Sequence, residues 1–495
     1  MFPTWKTCAK IVGGACVAAL ALGVSPTAQA GTVTAKTLPA ISATSFGMHT
    51  PNKMPTDIVR GSLRILGGGA PSRDGKNFYI GWADLEPTRG VYNWTALDTA
   101  LNAATLWGYT DMSYSVTRIP SWAADRTIGQ VAQTKSAWGE PNLTASLPNL
   151  TMYTEFANAL AQHLAQRPKV WPYFANTLSV EPMNEAGSAG WMRFGVPDVA
   201  GRKWTDAQMT TTANHMGKMT TIMSAAMKKY SVPNMKVLAG STVLGGTGRA
   251  WGEPGNSVGA TDTARIVYWL KYLAYLKKYN VDFYAFALHH YSTSSTTRGQ
   301  VMSWTASTIA SADPTGRLGA KPKWDTEFNL GGSSDSSGGH YTDAAGAAEL
   351  VKAYVMGFSQ GYERQYWYKY SNTYDSFTGI QLGTVGPGLA VTNTTTNANI
   401  AYNNLFSILA GATPAGCSVY SFAGNPNATG CKFSSAKYPK GFYVVWAKTN
   451  TVTGVSLAVQ TKLWDVHPIV FNAGPSAVTN GAVYFGPQPV LVVAK

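Results

Sequence analysis

Charge is scarce in this chain. Lys, Arg, Asp and Glu make up 13% of its 495 residues, with 25 acidic against 39 basic. At 45% hydrophobic content, that composition excludes a disordered, highly charged scaffold and calls for a sizeable core. No dense Lys/Arg block and no nucleic-acid motif occurs, which argues against a nucleic-acid role. Long apolar runs are missing too: residues 11–24 form the longest, short of the roughly 18 that a membrane-spanning helix needs. Cysteine is nearly absent. Of four, Cys8 and Cys16 fall in the first thirty residues and only Cys417 and Cys431 lie beyond, with no spacing suited to zinc.

The first thirty residues have the form of an export signal. Lys6 and Lys10 precede the apolar run, and Ala28-Gln29-Ala30 supplies small residues at a cleavage position. A mature protein beginning near Gly31, periplasmic or extracellular, is expected. In an oxidising compartment Cys417 and Cys431 are expected to pair across a short Gly/Asn/Pro loop. Loss of Lys6 and Lys10 lowers the net charge from +14 to +12. A basic exported protein suits an acidic polysaccharide or an anionic surface, although the charge can equally serve solubility alone. Sixteen tryptophans and 25 tyrosines can fill a core or stack on sugar faces.

From about residue 41 to 411, strand-like and helix-like patterns alternate. Strands are expected over 43–49, 61–66, 111–117, 177–180, 236–241, 283–289, 322–327 and 365–370. Helices are expected over 94–106, 152–166, 206–229, 263–279, 301–312, 343–358 and 397–409, with a short first one near 56–59. Eight such repeats point to an α/β protein with a (β/α)8 barrel over residues 43–411. Beyond 412 helical periodicity stops. Runs at 418–422, 441–447, 455–460, 468–471 and 483–493 indicate a small antiparallel β-sandwich, to which 31–42 contributes a possible extra strand. Two loops after strands, 67–93 and 118–150, are long and carry Phe78, Tyr79, Trp82, Trp122 and Trp138. Loops of that length tend to be functional.

Two strands end in a carboxylate. ANTLSVEPMNEAG breaks at Asn184-Glu185, and KPKWDTEFNLG reaches Glu327. A buried strand ending in glutamate makes a poor core but a sensible active site, because barrel enzymes place their chemistry at the carboxyl ends of strands. Cleaving a glycosidic bond needs an acid for the leaving oxygen and a carboxylate facing the anomeric carbon. Glu185 and Glu327, after the fourth and seventh strands, suit those tasks. Glu181, four residues earlier, is expected to be a structural partner inside the barrel. His289 and His290 are adjacent on one strand, so only one can face the interior, and His289 is favoured. Trp82, Asp84 and Glu86 are expected to pin a loop rather than touch substrate.

Several stretches resemble clan A retaining glycoside hydrolases, most closely family 39 and its exported bacterial members acting on exopolysaccharides. EPMNE at 181–185 resembles the acid/base motif, although Met183 replaces the usual Trp and Ala186 the common Pro. WDTEF at 324–328 looks like the nucleophile strand. Arg64 in RGSLRIL, the stretch WADLEPTRGVYNWTALD, His289 and Tyr291 in ALHHY, and Trp367 in YWYKYS match further positions. The resemblance implies Glu185 as acid/base, Glu327 as nucleophile and Asn184 on the sugar 2-hydroxyl. It also implies Tyr291 and Arg64 supporting Glu327, and Trp367 as the floor under the sugar. Trp122 and Trp191 are candidates for flanking subsites.

The chain is thus expected to be an exported retaining β-glycosidase acting within a polysaccharide, as a monomer with no metal or organic cofactor and no transmembrane anchor. An exo-acting β-xylosidase is the rival enzyme. A non-catalytic polysaccharide-binding matrix protein is the rival of another class.

Overall fold

A computed structural model of the chain describes residues 38–49, 58–67, 79–131, 142–188, 191–196, 204–244, 258–331, 341, 343–370, 379–385, 391–392, 396–418, 422–448, 453–456, 464–469, 477–479 and 482–494. The expected export signal, the proposed extra strand up to residue 37, Phe78 and Trp138 lie outside these residues.

The β-branched and aromatic runs of the barrel region form eight parallel strands. They are β1 (Phe46–His49), β2 (Ser62–Leu66), β3 (Asp111–Ser115), β4 (Thr177–Glu181), β5 in two pieces (Met235–Val237 and Ala239–Val243), β6 (Phe286–His289), β7 (Lys323–Phe328) and β8 (Tyr362–Trp367). Their hydrogen-bonded order is 5-4-3-2-1-8-7-6-5. The first piece of β5 pairs with β4 and the second with β6. At the break, Leu238 N donates to Val180 O and Ala239 N to Ala285 O, both at 2.9 Å. That transfer closes the barrel.

Helices follow β2 to β8 in turn: α1 (Thr95–Leu106), α2 (Leu150–Gln166), α3 (Asp206–Lys229), α4 (Val258–Lys278), α5 (Ser295–Ala312), α6 (Asp343–Ser359) and α7 (Asn397–Leu409). Local sequence explains their starts. Thr205 and Gln208 cap α3 reciprocally, with side chain to backbone distances of 3.2 and 2.9 Å. Asn149, Ser294 and Thr396 cap α2, α5 and α7. The short helix expected near 56–59 falls largely outside the described residues, and 58–60 are not helical. None of the described helices is long and apolar enough to cross a membrane.

The amino-terminal end of the barrel is plugged by Leu238, Ala285, Ala287, Trp324 and Tyr366. Arg364 on β8 holds Asp111 on β3 beside them, with Nη2 2.7 Å from Oδ2. That seal leaves the carboxyl ends of the strands as the open face.

Among the described residues eight short strands follow α7: β9 (Thr413–Ser418), β10 (Ala428–Ser434), β11 (Phe442–Ala447), β12 (Thr453–Ser456), β13 (Trp464–Pro468), β14 (Ala477–Thr479), β15 (Ala482–Phe485) and β16 (Val490–Ala494). They form two antiparallel sheets, ordered 9-10-11-16-13 and 12-15-14. Val445, Val490 and Val492 of one sheet share a core with Val483 and Phe485 of the other. The expected sandwich is present, with shifted edges. The strand expected over 418–422 falls largely outside the described residues, a strand precedes it at Thr413–Ser418, and the run 483–493 is two strands joined by a turn. Cys417 and Cys431 face each other on β9 and β10 and form a disulfide closing 14 residues, worth on the order of 3 kcal/mol.

Candidate functional site

Arg64 organises the open face. It stands on β2 with no solvent exposure, so each of its donors needs an acceptor. Nε and Nη2 reach Glu181 at 2.9 and 3.0 Å, Nη2 reaches Asn184 Oδ1 at 2.7 Å, and Nη1 reaches Glu327 Oε2 at 2.7 Å. Ser115 also donates to Glu181. Burial alone would raise the Glu181 carboxyl, but the guanidinium outweighs it and brings the pKa below its ordinary value. Glu181 is the expected structural partner: it anchors Arg64.

Past β4 the chain turns sharply through Asn184 and Glu185. Glu185 has φ +44°, a left-handed conformation that costs a non-glycine residue about 1–3 kcal/mol. Its amide donates to Ser241 Oγ on β5 at 2.9 Å, which fixes the turn. From there its carboxylate meets His289, Nδ1 to Oε1 at 2.8 Å.

Glu327, near the end of β7, is 7% exposed. Tyr291 donates to Oε1, Arg64 to Oε2, and His289 Nδ1 lies 3.9 Å from Oε2. One oxygen of Glu185, one of Glu327 and one nitrogen of His289 all lie within 4.8 Å of one another. The two carboxylates thus bring one oxygen each to within 4.8 Å of the other. The same trio has atoms that could ligate a metal ion, which would lie between them and need both carboxylates ionised.

The electrostatics couple these groups. Burial pushes the Glu327 carboxyl up; His289 and Arg64 pull it down, the Glu185 charge pushes it further up, and the net direction is upward. Burial opposes charge on His289, but Glu327 and the bond to Glu185 prevail and raise its pKa. Glu185 and His289 are joined by that 2.8 Å bond between Oε1 and Nδ1.

Of the other expected residues, Asn184 and Tyr291 belong to this cluster, whereas His290 turns outward to Asp325 and Thr305. Trp367 requires a correction. It is fully buried, with its ring edge-on to Phe328 at 5.0 Å and stacked with Tyr354 at 6.2 Å. It faces the helices and cannot floor a sugar. The strand expected over 365–370 runs instead over Tyr362–Trp367, and its alternation turns Arg364, Tyr366 and Tyr368 inward. Tyr368, half-buried, presents its ring to His49 at 4.6 Å and Tyr291 at 6.1 Å. A cis peptide bond joins it to Lys369.

Trp122 is half-buried in the loop after β3, edge-on to Trp82, outside the carboxylate cluster. Trp191 is half-buried in the loop after β4, where Gly187 N bonds Met192 O at 2.8 Å. The residues expected to pin a loop do so: Trp82 Nε1 and Gly90 N both donate to Glu86 at 2.7 Å, and Asp84 pairs with Arg118. Sequence reasoning missed His49, Ser241 and Tyr368. Tyr368 was findable from the strand's end; the other two carry no local motif.

No protein-family model matches the sequence, and no curated protein matches it. Solved structures match in shape. A family 39 glycoside hydrolase from the gut symbiont Bacteroides cellulosilyticus aligns at 13% identity and TM-score 0.57, over 92% of this chain and 83% of its own. SrfJ from Salmonella typhimurium aligns at 10% identity and 0.53, over 93% and 91%. A monomeric β-xylosidase from Caulobacter crescentus aligns at 14% and 0.50, over 92% and 97%. At these identities the likeness is one of fold, a (β/α)8 barrel with an appended β-sandwich. Function has to be argued from the site.

Proposed function

We propose that the chain is a retaining β-glycoside hydrolase of the clan A type. The observation that carries this reading is the facing pair Glu185 and Glu327, with oxygens within 4.8 Å. Retaining enzymes hold their carboxyl groups about 5–5.5 Å apart, whereas inverting ones need about 6.5–9.5 Å to admit a water.

In the first step a Glu327 oxygen attacks the anomeric carbon while Glu185, bonded to His289, gives a proton to the leaving oxygen. Tyr291 and Arg64 hold Glu327 at a fixed angle and stabilise its ionised form against burial. In the second step Glu185 takes a proton from water, which attacks the glycosyl–Glu327 ester and restores the original configuration. In this reading Asn184, oriented by Arg64 and Ser241, bonds the sugar's 2-hydroxyl. These residues need no cofactor for this chemistry.

The substrate in this reading is an extracellular or periplasmic polysaccharide cut internally by an exported monomer. Half-buried Trp122 and Trp191 on the loops of the open face support flanking sugars, and the net charge supports an acidic polymer. The test is release of reducing ends from neutral and acidic β-linked polysaccharides by residues 31–495 and by Glu327→Gln. Activity present in the first and lost in the second, with long products, supports the reading. Single sugars as the only product would replace internal cleavage by exo action. Binding without cleavage would favour a matrix protein.

A further inference from the structure

His49 closes β1 opposite Arg64 on β2, and no expectation attached a function to it. It is 5% exposed, yet neither ring nitrogen has a hydrogen-bond partner. A buried polar group left in that state costs stability and calls for an explanation. The ring is held edge-on against Tyr368 at 4.6 Å, with Nε2 3.7 Å from Glu327 Oε2. That distance is too long for a hydrogen bond. It is well suited to a single oxygen lying about 2.8 Å from both atoms. Two further unpartnered atoms belong to the same cluster, Asn184 Nδ2 and His289 Nε2.

We propose that His49 is a specificity-determining residue of the cleavage subsite, bridged to Glu327 by one ring hydroxyl of the bound sugar. This deepens the glycosidase reading and rests on it. The hydroxyl accepts from the imidazole N–H and donates to the carboxylate. A neutral imidazole has one donor and one acceptor nitrogen. A hydroxyl matches such a pair. A carboxylate, which has no proton to give to Glu327, does not. The sugar at this position therefore carries a hydroxyl there, whatever charge the rest of the polymer bears.

The test uses His49→Phe, which fills the ring volume without nitrogens, and His49→Gln, which keeps a donor and an acceptor. Both are assayed as full chains on aryl β-glycosides of xylose, glucose, galactose and mannose, then on monodeoxy derivatives of the one cleaved best. His49→Phe is expected to lower kcat/KM on the parent glycoside about a hundredfold at unchanged Tm, with His49→Gln recovering most of it. On one monodeoxy derivative the wild type and His49→Phe become equal. A loss of the same size on every derivative, or none, overturns the role of His49 and leaves the wild type's hydrolysis standing. The 15N ring resonances of His49 are followed separately as the four free sugars are added to wild type and Glu327→Gln. A sugar-induced shift without cleavage of any glycoside keeps the contact and overturns hydrolysis; neither shift nor cleavage overturns both.

Discussion

Arg64 and Glu181 form a two-bond ion pair, 2.9 and 3.0 Å, with no solvent exposure on either side. Glu181 makes no contact with Glu327, yet it fixes the guanidinium that does. Removing one partner of a buried pair strands the other, at about 3–5 kcal/mol. Arg64→Leu is therefore expected to lose about that much stability in denaturant unfolding. Glu181→Gln keeps one of the two acceptors for Arg64 and should lose less, while lowering activity through a displaced guanidinium. Equal losses for both variants would contradict this division.

Glu327 lies on the other side of the stability balance. Its folded-state pKa is raised above the ordinary 4.5. Below that value folded and unfolded chains both hold the proton; as pH rises the unfolded chain releases it first. Stability falls through the window up to the folded pKa and stays lowered at neutral pH. Glu327→Gln is thus expected to melt above the wild type at pH 7, with the gap narrowing at pH 4, while hydrolysis falls on the order of 10⁴-fold or more. Thermal scans at the two pH values check the sign.

The Glu185–His289 pair predicts a rescue. In Glu185→Ala the glycosyl–enzyme ester still forms from an aryl glycoside with a good leaving group, but no base activates water. Azide, which needs no base, is expected to restore turnover about tenfold to a hundredfold and to give a β-glycosyl azide. An α product would reassign the two glutamates.

Trp367 and Tyr368 separate packing from binding. Trp367→Ala is expected to cost about 3–5 kcal/mol by opening a cavity against Phe328 and Tyr354. Tyr368→Ala should leave Tm nearly unchanged and raise KM. Parallel melts and kinetics of the two variants decide it.

The barrel was legible because strand and helix patterns alternate from about residue 41 to 411, and because two strands end in glutamate. The pinned loop was legible in the Trp82–Glu86 spacing. The inward face of β8 was not: Tyr366, Trp367 and Tyr368 are consecutive aromatics, so no polarity difference marks the register, and the family match fell on Trp367, one residue away from the inward-facing Tyr368. His49 and Ser241 were unreadable for another reason. Neither lies near Glu185 or Glu327 in sequence, and only the closure of the barrel through the break at Leu238 brings β1 and β5 to them. The edges of the sandwich strands shifted because Gly/Asn/Pro turns of similar composition flank every run.

The left-handed backbone at Glu185 has an evolutionary corollary. Glycine would adopt φ +44° without strain, so selection for folding alone would erase the glutamate at that position. Thermostabilising changes are therefore best sought away from this strained turn, and a variant screen scored only by heat resistance would drift towards an inert scaffold.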